Sequence, residues 1–171
     1  MAERRLSGRA AWRPTVNRTP RQYTAHHEPI WRERANFIVV APLPEQDRHE
    51  QLWCRQLTES TFEVCCIPFF LYDVALGDVV ETETTSEGAF SVRRVTEHSG
   101  RYVFRVLFSD LSAETQAEVQ DRVMGLGGAV ERGTPKLIAI DAENQRVASR
   151  VADYLQTQEA DGRLFYETGR V

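Results

Sequence analysis

Between residues 36 and 99, apolar side chains come in short runs that turn-forming residues interrupt. Several runs are rich in β-branched residues or alternate apolar with polar positions, as half-buried strands do. Such runs lie at 36–41, 61–67, 79–83 and 90–96. Strands this short, with a turn after each, predict a small curled antiparallel sheet or partial barrel. The stretch 45–57 differs, because its early acids and helically spaced Leu52, Trp53 and Leu57 predict a short amphipathic helix.

The last seventy residues combine strand-like runs with two stretches of helical spacing. Ser112 offers an N-cap to the first helix, and Asn144 caps the second. The predicted order over residues 101–167 is β-α-β-β-α-β, which is the ferredoxin-like, split βαβ arrangement. We therefore expect an α+β protein, in which a small antiparallel β-rich subdomain at 36–99 precedes a ferredoxin-like βαββαβ subdomain at 100–171.

The N-terminal segment carries the opposite charge to the rest of the chain. Residues 1–34 hold eight arginines and three glutamates, a net charge of +5, whereas the remainder carries −9. Three prolines and the lack of apolar periodicity predict an extended arm over 1–35, disordered unless a partner orders it. The arm has three interpretations: a solvated tail, a segment that docks on an acidic protein surface, or a contact to nucleic acid. The arginines assigned to such contacts are Arg4, Arg5, Arg9 and Arg13.

The composition and the motifs of the chain argue against several classes of protein and several kinds of binding site. The chain has 171 residues, 42% of them hydrophobic, which is enough for one packed domain or two small ones. No window approaches 18 consecutive apolar residues, and no apolar region follows the first arginines, so we expect neither a membrane span nor a secretory signal. Three cysteines without a disulfide framework favour a reduced, cytoplasmic protein. The lack of Cys-x-x-Cys spacing, of a Gly-rich phosphate loop and of a dinucleotide fingerprint predicts no metal and no cofactor.

Three side chains are weak candidates for catalysis. Cys65 is a candidate nucleophile that His98 could activate as a base. Asp78, in the turn after Gly77, is a candidate carboxylate at a pocket rim. Cys65 and Asp78 each also have a structural interpretation, which is the more frequent one: a buried cysteine packs as a small hydrophobe, and an aspartate after glycine caps its own backbone. In a strand, Cys65 and Cys66 would face opposite sides, so if Val64 and Cys66 differ in burial, one cysteine lies in the core and the other does not.

The segment 67–72 (IPFFLY), called the aromatic segment below, places five bulky apolar residues around a proline. That is more apolar volume than a short loop needs. The segment therefore fills the junction between the two β regions or lines a groove for a ligand or partner. The residues assigned to binding are Trp53, from the predicted helix at 45–57, and four residues of the aromatic segment: Pro68, Phe69, Phe70 and Tyr72.

Four short motifs follow one another in the middle of the chain. They are EQLWC at 50–54, CIPFF at 66–70, LGDVV at 76–80 and Ser-Gly at 99–100. In this order they resemble domain-of-unknown-function family 4265, whose members are bacterial proteins of roughly this size. The resemblance covers about residues 36–167. It implies no activity, and it carries no catalytic residue over to this chain.

With no catalytic signature in the sequence, we expect a non-catalytic partner-binding or regulatory protein that acts through the aromatic segment and the arginine-rich arm. Its partner would be another protein or a second copy of the chain, with weaker support for nucleic acid and none for a membrane. The alternative is a small enzyme, or enzyme subunit, of bacterial specialised metabolism. Its pocket would lie between the two subdomains, and Cys65, Asp78 and His98 are the residues to test.

Overall fold

The structure is a computed structural model that describes residues 21–45 and 47–169. Ten strands and two α-helices over these residues make an α+β protein, as the sequence predicted. The first half holds six strands: β1 (Gln22–Ala25), β2 (Phe37–Pro42), β3 (Arg48–Gln56), β4 (Thr61–Val64), β5 (Val79–Thr84) and β6 (Phe90–Glu97). The second half holds β7 (Tyr102–Phe108), α1 (Ala113–Gly125), β8 (Ala129–Arg132), β9 (Leu137–Ala142), α2 (Gln145–Ala160) and β10 (Leu164–Thr168).

The first sheet closes on itself through β3. Its hydrogen-bonded order is β1-β3-β2-β6-β5-β4, and β3 also pairs with β4. Strands β2 to β6 therefore form a closed five-stranded barrel, with β1 added to β3 in parallel. Side chains from four of these strands meet in its core, among them Val39, Leu52, Phe62 and Val80.

The stretch 45–57, predicted as a helix, is mostly strand β3. Glu50, Leu52 and Cys54 occupy alternate positions along this strand and are fully buried. The alternation is hidden in the sequence because glutamate fills one of the inward positions, where a polar residue normally marks the outer face. Buried partners that satisfy the carboxylate make this position tolerable for Glu50.

The second sheet is antiparallel throughout, with the order β10-β7-β9-β8. Both helices pack on one of its faces, where the buried residues include Phe104, Val106, Val119, Ile138, Ile140, Val151 and Leu155. The side chains of Ser112 and Asn144 cap α1 and α2 as predicted, because each accepts a backbone N–H three residues further on. The opposite face of the sheet is therefore left for other contacts.

That opposite face carries the junction with the barrel. The loop between β4 and β5 lies across it, and Ile67, Phe69 and Ala75 pack against Val103 of β7 and Ala139 of β9. The aromatic segment thus fills the junction between the two halves, which is one of the two roles that the sequence left open. Because this loop fills the junction, a site between the two halves can lie only beside the loop.

Residues 21–35 belong to the fold, which corrects the prediction that the arm extends to residue 35. Strand β1 pairs with β3, His26 is buried, and the backbone N–H of Trp31 donates to the carbonyl of Cys65 (3.1 Å). The sequence conceals these contacts because a four-residue strand and a single histidine carry them, without any apolar periodicity. The assigned residues Arg4, Arg5, Arg9 and Arg13 lie outside the described residues.

Candidate binding groove

An apolar groove with a volume of about 490 Å³ opens beside the junction. Phe69 and Phe70 of the aromatic segment form one wall, and the uncovered part of the second sheet forms the other. Strands β7 and β10 send alternate side chains to opposite faces, so Leu107 and Phe165 point away from the helices and into the groove. The volume lies in the range typical of ligand pockets.

Large apolar side chains in this groove are exposed to solvent. Leu107 is 49% exposed and Phe165 is 62% exposed, although the other face of their strands is buried against the helices. Phe70 adds a third apolar side chain, partly buried, to the same surface. Exposed apolar side chains gathered in a concave surface are typical of a binding site for a ligand or partner.

One positive charge lies among these apolar walls. Arg105 is only 4% exposed, and its Nη1 donates to Oε1 of Glu167 (2.9 Å) while its Nη2 donates to the carbonyl of Leu71. Its guanidinium carbon lies 4.4 Å from the ring centroid of Tyr72. The Nε–H is buried and has no acceptor among the described residues. The groove therefore holds a fixed cation that a half-exposed carboxylate neutralises.

Behind the aromatic wall, His26, Glu50 and Glu131 form a buried triad. His26 Nε2 lies 2.9 Å from Glu50 Oε1, and His26 Nδ1 lies 2.7 Å from Glu131 Oε2. Each ring nitrogen faces a carboxylate oxygen, an arrangement that suits an imidazolium, which donates from both nitrogens. Burial by itself lowers the pKa of His26, but Cys66 and the hydrogen bonds to Glu131 and Glu50 outweigh it and raise the pKa to about 12.

The buried triad holds the aromatic segment in place. Glu50 accepts the backbone N–H groups of Phe69 (2.6 Å) and Phe70 (3.0 Å), and Glu131 accepts that of Ile67 (2.8 Å). The histidine ring stacks on Phe69 with 4.2 Å between the ring centroids. The N-terminal segment, β3 and β8 therefore meet at the loop that forms one wall of the groove. The position of that wall depends on all three.

The structure brings two of the three catalytic candidates together. His98 Nδ1 lies 3.4 Å from Asp78 Oδ2, with the histidine exposed and the aspartate buried. The Asp78 carboxylate also accepts the backbone N–H groups of Ala75 (3.0 Å) and Ser99 (2.7 Å). These hydrogen bonds join the turn at Ala75 to the turn at Ser99, which agrees with the interpretation of Asp78 as a residue that caps backbone N–H groups. Neither residue lines the groove.

Cys65, the third candidate, makes other contacts. Its thiol donates to the carbonyl of Glu63 (3.5 Å), and burial together with the Glu63 carboxylate raises its pKa to about 11. A raised pKa lowers the fraction of thiolate and so opposes a nucleophilic role. Cys66 and Val64 are both fully buried, so the condition under which only one of the two cysteines would lie in the core is not met. Strand β4 ends at Val64, and strand alternation does not reach either cysteine.

The residues assigned to binding divide into two groups. Phe69 and Phe70 line the groove, Pro68 is buried beside them, and Tyr72 is exposed next to the groove arginine. Trp53 lies elsewhere, because its indole N–H donates to a backbone carbonyl just after β1 (3.0 Å). That tryptophan anchors the N-terminal segment and is not part of the groove.

Sequence reasoning missed the sheet side of the groove and the buried triad. A signal for the sheet side was present, since Arg105, Leu107 and Phe165 occupy the alternate positions that two one-sided helices leave uncovered. The sequence held no such signal for the triad. Glu50 and Glu131 are separated by 81 positions, and only the folded chain brings them to one histidine.

A second cavity of about 550 Å³ is lined in part by Glu131 of the buried triad and is more polar. Its lining includes His27, Glu28, Gln120, Glu131 and Arg132. Within residues 21–45 and 47–169, no group of three or more His, Cys, Asp or Glu side chains is placed to hold a metal ion. No helix in that part of the chain is long and apolar enough to cross a membrane.

Comparisons with known proteins agree with the architecture and supply a family. Residues 50–166 match the model of a family described as domain of unknown function DUF4265, so the chain belongs to that family, as its motifs predicted. Among solved structures, it is similar to a hypothetical protein from Neisseria gonorrhoeae, with a TM-score of 0.66 and 15% identity over 83% of this chain and 94% of that one. At this identity the likeness concerns the fold alone. No curated protein matches the chain.

Proposed function

We propose that this protein is a non-catalytic binding protein and that its groove receives the apolar part of a ligand. The observation that carries the proposal is the exposure of Leu107 and Phe165 inside a cavity of about 490 Å³. Leaving apolar area in water costs about 25 cal/mol per Å², and a ligand that covers these side chains recovers that free energy. The aromatic segment takes part through Phe69 and Phe70.

The groove is formed before any ligand arrives, which supports a binding role. The buried triad fixes one wall through hydrogen bonds to the backbone of the aromatic segment. Paired strands β7 and β10 fix the other wall. A site whose walls are already ordered binds with a smaller entropy cost than one that must order its residues on binding.

The alternative of a small enzyme has less support. The Asp78 carboxylate is engaged by two backbone N–H groups, and burial raises the pKa of the Cys65 thiol. The contact between His98 and Asp78 is the observation that keeps this alternative worth testing.

We also propose that the chain from residue 100 onward is a ferredoxin-like subdomain. The strand order β10-β7-β9-β8, antiparallel pairing and two helices on one face support this assignment. The three free cysteines support a reducing compartment, the bacterial cytoplasm.

The binding proposal is tested with a neutral apolar fluorophore, Nile red, whose emission rises on transfer from water into an apolar site. We expect saturable binding by the wild type and at least tenfold weaker binding by Leu107→Ser and Phe165→Ser. Both side chains are half exposed, so these substitutions should leave folding intact. Leu111→Ser is the matched control, because Leu111 is 61% exposed and does not line the groove.

Equal binding by the wild type and by both groove variants would overturn the proposal. Weaker binding by Leu111→Ser to the same extent as by Phe165→Ser would also count against it, because the dye would then report general surface hydrophobicity.

A further inference from the structure

Arg105 is an unusual residue for the wall of an apolar groove. It carries a charge, yet 96% of its side chain is removed from solvent, as its exposure of 4% shows. A buried charged group is stable only when it is paired and hydrogen-bonded. Two of its nitrogens meet this condition through Glu167 and the carbonyl of Leu71, but its Nε–H has no acceptor in the part of the chain that the structure describes. An unsatisfied buried donor is costly, so the pairing of this charge depends on the two other nitrogens of Arg105.

The partner carboxylate of Arg105 is held much less firmly than Arg105 itself. Glu167 lies near the end of edge strand β10, and its side chain is 52% exposed. It accepts hydrogen bonds from Arg105 (2.9 Å) and from the hydroxyl of Tyr72 (3.0 Å). A half-exposed carboxylate can rotate into water at small cost, because water solvates it well. Glu167 therefore occupies a carboxylate position that an incoming carboxylate could take over.

We propose that the groove binds a small apolar carboxylic acid, with its carboxylate at Arg105 and its apolar chain along Leu107, Phe165 and Phe70. The proposal rests on the proposed function, and it adds the chemical class of the ligand. On binding, the ligand carboxylate replaces that of Glu167 as the acceptor for Nη1 of Arg105 and for the hydroxyl of Tyr72, and Glu167 turns into water. The ion pair stays neutral overall, since one negative charge leaves Arg105 as another arrives.

The test compares octanoate with 1-octanol, which have the same chain length and differ in the head group. Binding is measured by displacement of Nile red and by isothermal titration calorimetry at pH 7. We expect octanoate to bind more tightly than octanol to the wild type, because its carboxylate can take the place of Glu167 at Arg105 whereas the uncharged hydroxyl of octanol cannot. Arg105→Gln should remove this preference, so that the two ligands bind the variant with similar affinity.

The Glu167→Gln variant keeps the test decisive if Arg105→Gln does not fold. The glutamine amide carries no charge and competes poorly for Arg105, so we expect octanoate to bind this variant several-fold more tightly than the wild type, and octanol to gain less. Glu143→Gln, which alters another exposed carboxylate outside the groove, is the control and should change neither ligand.

The outcomes separate this inference from the proposed function. If octanol and octanoate both bind in the groove with equal affinity, the carboxylate inference is wrong and the binding function stands. If neither displaces the dye and groove variants bind it normally, the binding function itself is wrong. A third ligand, the peptide Ala-Leu-Leu, tests the source of the carboxylate: tighter binding than octanoate, lost on amidation of its C-terminus, would overturn the assignment to a small acid in favour of a peptide end.

Discussion

At the scale of single residues, His26 ties distant parts of the chain together through Glu50 and Glu131. We expect His26→Gln to lower the free energy of unfolding by about 3–5 kcal/mol, because it leaves two buried carboxylates without a counter-charge. Urea denaturation measures the difference. His27→Gln is the matched control, since His27 is the exposed neighbour and its replacement should change stability by less than about 0.5 kcal/mol. Equal stability of the two variants would show that the triad is not ionised as described.

The same histidine gives stability a pH dependence. The folded-state pKa of about 12 lies above the ordinary value of 6.5, so the folded protein keeps a proton that the unfolded chain releases as pH rises. The stabilisation is therefore complete below pH 6.5 and is lost progressively as pH rises towards 12, at up to about 1.4 kcal/mol per pH unit.

Urea denaturation between pH 7 and 8.5, below the range where the buried thiols titrate, measures this effect. The stability deficit of His26→Gln relative to the wild type should shrink across that interval. A deficit that is constant with pH would contradict the raised pKa of His26.

At the scale of secondary-structure elements, the sequence predicted the helix caps and the elements that depend on residues close together in the chain. The caps at Ser112 and Asn144 and the order of the last six elements follow from residues close together in the chain. Strand β3 escaped prediction because Glu50 is buried by a contact with a residue 24 positions away. Strand β1 escaped because it is four residues long, has no apolar periodicity and pairs in parallel with β3. In both cases the deciding contacts join residues far apart in the chain, which local patterns do not reveal.

The turn after β8 restricts the aromatic wall at the same scale. A Cβ added to Gly133 would lie 3.0 Å from Cδ1 of Phe69, whose ring is already stacked on His26 at 4.2 Å. The Phe69 ring therefore has little room to move away from an added methyl group. We expect Gly133→Ala to destabilise the protein by about 1–3 kcal/mol and to weaken Nile red binding, as overpacking does.

The control for that substitution is Gly125→Ala. Gly125 ends helix α1, and an added Cβ there meets no atom within 4 Å. Alanine at that position should leave stability unchanged or raise it slightly, and dye binding should not change. If Gly133→Ala behaves in the same way, the wall of the groove is more adaptable than its packing indicates. Thermal melts and dye titrations of the two variants give the answer.

At the scale of the whole molecule, the N-terminal arginines and the acidic remainder form a charge asymmetry that local packing does not explain. We expect removal of residues 1–20, which include Arg4, Arg5, Arg9 and Arg13, to weaken association with an acidic partner or a second copy. The effect should be larger at low salt, because such contacts are screened beyond a Debye length of about 8 Å at physiological ionic strength. Light scattering at two salt concentrations measures it. Equal association with and without these residues would make the segment a solvated tail.

A pair of truncations separates this charged segment from the part that the fold needs. Removal of residues 1–20 leaves every described hydrogen bond of β1 and of the buried triad in place, so the melting temperature should change little. Removal of residues 1–31 also deletes β1, His26 and Trp31, and it leaves Glu50 and Glu131 buried without a cation. That second truncation should lose at least about 3 kcal/mol of stability or fail to fold. It should also lose the groove, because those two carboxylates accept the backbone hydrogen bonds that hold the aromatic segment in place. Circular dichroism melts and Nile red titrations of both truncations provide the comparison. A stable, dye-binding protein that begins at residue 32 would show that the barrel and the second sheet hold the groove without the N-terminal segment.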